Sequence, residues 1–173
     1  MKEKVYMKPM DEPIVLIIED DEPKLQAVQS FLQETIINAR LEIATSLSTA
    51  IRLLSTNPIT LAVVDMSLPT YDVAKDRTGG QPQGFGGKDI LRFIEDETPS
   101  TYSVVLTQYE EFPSDHNGGR KDLNELKEEL HKKFGSRFLD VIHYSGQLGD
   151  WRDALLAALI SAGIKTKHEN INS

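Results

Sequence analysis

The chain reads as a doubly wound α/β protein, and three observations predict this. Short apolar runs rich in β-branched residues alternate with amphipathic helical patterns along most of its length. The runs are mostly apolar on both faces, as strands of a parallel sheet covered on both sides must be. Parallel neighbours need crossover connections, and the intervening helical patterns supply them.

The elements follow in order. "IVLII" (14–18) is the first strand. Leu25, Val28, Leu32 and Ile36 then recur at i, i+3, i+7 and i+11, and Asp21 or Glu22 followed by Pro23 can start that helix. Asp21 can serve either as the N-cap or as a member of the acidic group discussed below. "LEIAT" (41–45) is the second strand. Ser48 is the expected cap of the helix "STAIRLLS", which stops at Asn57-Pro58. "ITLAVVD" (59–65) is the third strand, and "TYDVAKDRTGGQPQGFGG" (70–87), with five glycines and little periodicity, is expected to be a long mobile loop. "GKDILRFIEDE" (87–97) sets Ile90, Leu91 and Ile94 on one side of a third helix. "YSVVLT" (102–107) is the fourth strand, and "EEFPSDHNGGRKD" (110–122) reads as an irregular segment. Leu123, Leu126, Leu130 and Phe134 form a stripe that ends at Gly135. "FLDVIHY" (138–144) is the fifth strand, and Trp151, Leu155, Leu156, Leu159 and Ile160 mark the most apolar helix, ending at Gly163. The expected organisation is a tail over 1–12, one domain over 13–163 and a tail over 164–173.

Composition narrows the function. A chain of 173 residues with 39% apolar content can bury one good core. The net charge of -8 argues against a general nucleic-acid binder, which needs clustered cations for phosphate contacts. The absence of cysteine excludes disulfides, thiolate metal sites and cysteine nucleophiles. No apolar run approaches the roughly 20 residues that span a bilayer, and the N-terminus has no hydrophobic segment of signal-peptide type. A cytoplasmic location without membrane contact is the expectation.

The first strand runs directly into Glu19, Asp20, Asp21 and Glu22. Parallel strands end at one edge of the sheet, where open α/β proteins place their ligands. If the first strand lies beside the third, Glu19 and Asp20 converge with Asp65. Like charges so placed disfavour one another's ionisation unless a cation intervenes. A hard divalent ion with oxygen ligands, Mg2+ by preference, meets that need.

Taken together, "VLIIEDDEPK", "LAVVDMSLP" and "SVVLTQ" resemble the receiver domain of two-component response regulators, over roughly residues 14 to 160. The resemblance implies a flavodoxin-like strand order 2-1-3-4-5. It implies that Glu19 and Asp20 form the acidic pair, with Asp20 the closer metal ligand, and that Asp65 is the phosphoacceptor. Ser67 would lend a backbone carbonyl to Mg2+, and Thr107 would hydrogen-bond the phosphoryl group and act as the switch. A carboxylate is a competent nucleophile toward a phosphohistidine or an acyl phosphate. The partners implied are a histidine kinase or phosphotransfer protein and a downstream protein target. The chain would be a phosphoryl acceptor with at most slow autodephosphorylation, not an enzyme, and a monomer or weak homodimer.

The sequence also departs from that pattern. The family's lysine at the end of the fifth strand is absent, and Tyr144 or Ser145 stands in its place. Val141 is aliphatic where an aromatic switch residue is expected. Gln108 replaces a small residue after the threonine and would narrow the approach to Asp65. His143, Lys88 and Arg77 are the candidate substitutes for the missing lysine. These departures support an alternative, a phosphorylation-independent pseudo-receiver acting as scaffold or adaptor. A phosphatase using Asp65 as nucleophile ranks below both, because "DMS" lacks the acid two positions on that haloacid-dehalogenase-like enzymes need.

Overall fold

In the computed structural model, residues 12–71, 86–114 and 118–167 are described. Strands β1 (Ile14–Ile18), β2 (Arg40–Ala44), β3 (Leu61–Val64) and β4 (Tyr102–Thr107) are followed by a short pair, β5 (Glu111–Pro113) and β6 (Arg120–Asp122), and then by β7 (Phe138–His143). The helices are α1 (Glu22–Thr35), α2 (Leu47–Thr56), α3 (Gly86–Glu97), α4 (Leu123–Lys133) and α5 (Trp151–Ser161). Five strands form one parallel sheet in the order β2-β1-β3-β4-β7. With β7 as the fifth strand of that sheet, this is the flavodoxin-like order.

Alternation along the strands divides the core into two layers, because successive side chains point to opposite faces. Leu16, Ile18, Val64 and Val105 pack with Leu54, Ile90, Ile94, Leu126 and Leu130 under α2, α3 and α4. Val15, Ile17, Val63 and Leu106 pack with Leu25, Val28, Leu32, Trp151, Leu155 and Leu159 under α1 and α5. Ile18 stands beside Val64, and Val64 beside Val105, so β1, β3 and β4 point to one edge, with β4 running on to Thr107.

Local details refine the sequence reading. Asp21 is the N-cap of α1, its side chain accepting from the Lys24 N–H at 3.0 Å. Ser46, not Ser48, caps α2, accepting from the Thr49 N–H, so that helix begins earlier than expected. The segment 110–122, expected to be irregular, contains the antiparallel pair β5–β6, which buries Phe112 and ends in a capping box of Asp122 and Glu125. Too few residues alternate there for a strand signal to stand out. Nor is the C-terminal segment a tail from residue 164. Ile164 is buried, Lys165 O accepts from the Ile37 N–H and Thr166 bridges Ile36. Most of the glycine-rich segment 70–87, with Arg77, lies outside the described residues, as does its expected mobility.

Candidate functional site

The strand ladders continue one residue past β1 and β3. The Glu19 N–H donates to Ala44 O and the Asp65 N–H donates to Ile18 O, both at 2.9 Å. These bonds fix the backbones of the two acids at the sheet edge, where Glu19 is 4% exposed and Asp65 is 5% exposed. One carboxylate oxygen from each of Glu19, Asp20 and Asp65 falls within 4.8 Å of the others, Asp20 being the exposed member. The predicted convergence is therefore present.

A residue that the sequence reading passed over sits among them. Lys24, 2% exposed, directs its ammonium to Glu19 Oε2 at 2.5 Å, to Asp65 Oδ1 at 2.8 Å and to the carbonyl of Leu106 at 2.7 Å. Those contacts match the three donors of an ammonium group. The local sequence explains the placement. The Asp21 cap and Pro23 start α1 immediately after the acidic pair, and helical side chains lean toward the helix N-terminus, so a first-turn lysine reaches back over the strand ends. The remaining oxygens are also engaged. Glu19 Oε1 accepts from the Asp21 N–H at 2.9 Å, and Asp65 Oδ2 accepts from the Ser67 N–H at 3.0 Å.

Burial and like charge set the protonation behaviour. Burial, reinforced by the Asp65 charge and opposed by Lys24, pushes Glu19 from 4.5 up to about 7. Burial likewise raises Asp65 against the pull of Lys24, and it raises Asp20. For Lys24 burial works toward the neutral amine, but the charges of Asp65 and Glu19 outweigh it and hold the ammonium above its ordinary value. Two buried carboxylates share one firmly charged ammonium.

The donor set suits a hard divalent cation, being all oxygen and close enough for one ion. Once all three carboxylates are ionised, one ammonium leaves two negative charges. The compensation by Lys24 is thus partial, and the residues present fit Mg2+. Exposed Asp20 offers the open side of the cluster.

The remaining predicted residues lie around this centre. Thr107 is fully buried at the end of β4, its Oγ1 accepting from the Tyr109 N–H at 3.2 Å. Tyr144, which with Ser145 marks the position of the absent lysine, donates its N–H to Thr107 O at 2.7 Å. The Tyr144 ring lies 5.9 Å from the Lys24 ammonium and packs on Trp151 with centroids 5.3 Å apart. Val141 is a buried aliphatic residue, as expected, and Gln108 is exposed. Of the substitute cations foreseen, His143 faces Glu110 at 3.7 Å and Lys88 donates to Glu129 at 2.8 Å. Lys24 instead holds the seat beside Asp65. A signal for it existed: Lys24, Val28, Phe31 and Thr35 are spaced by four, three and four and are all buried, so the lysine belongs to the inward stripe of α1.

No family model matches the chain. An uncharacterized protein of Sinorhizobium fredii, y4jR, is 22% identical over 147 residues, covering 84% of this chain and 96% of that one. The receiver domain of an HD domain-containing protein from Pseudomonas fluorescens Pf-5 superposes with a TM-score of 0.59 at 20% identity, covering 93% of this chain and 99% of that one. The receiver domain of Francisella response regulator 1452 gives 0.59 at 18% identity, with 88% and 98% covered. The beryllofluoride-activated DrrB receiver domain gives 0.54 at 20% identity, with 87% and 97% covered. The chain has the receiver-domain fold.

Proposed function

We propose that the chain is a response-regulator receiver that takes a phosphoryl group on Asp65 in a Mg2+-dependent reaction and signals through a protein partner. The observation that carries this reading is the convergence of Glu19, Asp20 and Asp65 at the strand ends of a receiver fold, with Thr107 closing the adjacent strand. In the transfer, an Asp65 carboxylate oxygen forms a P–O bond as the P–N bond of a phosphohistidine breaks. The bonding electron pair leaves with the imidazole nitrogen. With an acyl phosphate donor the bond broken is P–O, and the pair leaves with the carboxylate. Glu19, Asp20 and Asp65, with the Ser67 carbonyl, would hold Mg2+, which when bound offsets the negative charge of the incoming group. The Ser67 N–H fixes the acceptor carboxylate, and the buried Thr107 hydroxyl can turn toward the new oxygens. Water releases the group slowly, so the chain is an acceptor and not an enzyme turning over a separate substrate. The phosphoryl donor is a histidine kinase or phosphotransfer protein, and the setting is cytoplasmic. Among the described residues no helix is long and apolar enough to cross a membrane.

One observation favours the phosphorylation-independent scaffold as second reading. Both oxygens of Glu19 and both of Asp65 already have protein partners, so of the three acids Asp20 alone faces an incoming ion. Incubation with acetyl phosphate and Mg2+, followed by intact-mass measurement, separates the two. The expected result is addition of one phosphoryl group in the wild type and none in Asp65→Asn. No addition to the wild type would make the scaffold the better reading.

A further inference from the structure

The Lys24 ammonium touches the Oδ1 of the proposed acceptor, Glu19 and the backbone of β4 one residue before Thr107. Beneath it lies the face of Tyr144, which with Ser145 stands where the sequence lacks the lysine that the resemblance implies. From this geometry we infer that Lys24 is the cation that pairs with the phosphoryl group on Asp65, delivered from the first turn of α1 instead of the end of the last strand, with Tyr144 as its positioning residue. The inference rests on Asp65 being a phosphoacceptor, as proposed above.

The exchange of the two positions is chemically coherent. The cluster offers one buried seat for an organic cation, bounded by Glu19, Asp65 and the Leu106 carbonyl, and Lys24 fills it. A second lysine at 144 would bring another cation to the same carboxylates. An aromatic ring there supplies a π face that attracts the ammonium from below. Trp151, packed on Tyr144, and the Tyr144 N–H bond to Thr107 O hold that ring in place. When a P–O bond forms on Asp65, the carboxylate charge facing Lys24 is replaced by the larger charge of the phosphoryl oxygens. A lysine is suited to follow it, because its ammonium is a compact point charge with rotatable donors on a flexible stem. Its bond to Leu106 O couples that movement to the strand carrying Thr107. A purely structural ion pair would close the acidic pocket equally well, but the rate of phosphoryl transfer to Asp65 would not depend on it.

The test starts with the wild-type chain labelled with nitrogen-15 at its lysines. The Lys24 ammonium is 2% exposed, which favours direct detection. On adding beryllofluoride and Mg2+, its resonance is expected to shift together with the amides of Asp65 to Ser67. A shift of those amides with Lys24 unchanged overturns the assignment. In Lys24→Met, the rate of phosphorylation by acetyl phosphate is expected to fall roughly 100-fold, the usual loss when one charge-stabilising donor is removed. Adding Tyr144→Lys to that variant should restore about a tenfold share, a rescue that a merely structural ion pair does not predict. Phosphorylation of Lys24→Met at the wild-type rate overturns the assignment while leaving the receiver reading intact. If the wild type neither accepts a phosphoryl group nor responds to beryllofluoride, the receiver reading fails and takes this assignment with it. Should Lys24→Met not fold, the wild-type lysine resonance decides the question.

Discussion

Glu19 carries the acid-base character of the site. Burial and the Asp65 charge hold it at about 7 in the folded chain against an ordinary 4.5, so the folded protein keeps a proton that the unfolded chain gives up. Stabilisation from this group is therefore complete below about pH 4.5 and is lost as the pH rises through about 7. Asp65 and Asp20, also raised by burial, act in the same direction. Lys24, raised above its ordinary 10.5, loses its contribution only in a far more alkaline range. Without added metal, the melting temperature is expected to decline between mildly acidic and neutral pH, and Glu19→Gln should flatten that decline. An equally steep decline in the variant would remove Glu19 as its source. On the proposed function the same proton competes with Mg2+, so metal affinity measured by calorimetry should rise with pH through about 7. A pH-independent affinity would place the ion away from Glu19. The acids themselves were legible in the sequence, because four carboxylates following a buried strand are conspicuous. Lys24 was legible only through its spacing with Val28, Phe31 and Thr35; read singly, a lysine after Pro23 looks like an ordinary solvated helix residue.

Among the elements, α3 depends on one glycine. The Gly87 N–H donates to Met66 O at 3.1 Å, and a Cβ at Gly87 would lie 2.6 Å from Asp65 O and 2.7 Å from Met66 Cα. Both atoms are backbone, so relief requires α3 to move off the end of β3. Gly87→Ala is expected to destabilise the fold by about 2 kcal/mol, within the range for overpacking, and to perturb the amides of Asp65 to Ser67. Unchanged denaturant unfolding would show that α3 is not seated there. A second constraint ties the β5–β6 pair to the helices. Glu129 on α4 accepts from Lys88 on α3 at 2.8 Å and from Lys121 on β6. Burial works against its charge, but hydrogen bonds from Lys121 and Lys88 bring its carboxyl below the usual value. Glu129→Gln leaves two nearly buried ammonium groups without that counter-charge. Stability should fall by about 2 kcal/mol, below the full figure for a buried pair because Glu129 is partly exposed, and a melting curve matching the wild type would refute this. The five sheet strands and five helices could be read from periodicity, since each is long enough to repeat its pattern. The β5–β6 pair could not, with three residues per strand and pairing that depends on long-range contact. The Ser46 cap was missed by two residues because neighbouring serines offer equivalent caps.

At the scale of the whole molecule, the sheet edge joins the acidic site to the β5–β6 pair, which stands between β4 and α4. A cleft of about 210 Å³ lined by Met66, Ser67, Tyr109, Phe112, Pro113 and Arg120 separates them. Thr107 ends β4 next to the segment that leads to β5. Its hydroxyl oxygen accepts from the Tyr109 N–H, the first step of the chain leaving β4 toward β5. If the hydroxyl turns to a phosphoryl group on Asp65, that N–H loses its partner, and the segment from Tyr109 to Phe112 is freed at its base. A local charge would thereby become a change on an exposed surface, where Tyr109 is half accessible to a partner protein. Hydrogen exchange at Tyr109 should quicken severalfold when beryllofluoride and Mg2+ are added, while the central amides of α1 and α5 keep their protection. In Thr107→Val, Tyr109 should exchange fast from the outset and show no further response, because valine has no oxygen to accept the bond. Occupancy of the site by the mimic, seen in the Asp65 amide, with unchanged exchange at Tyr109 would mean that the signal leaves the site by another route.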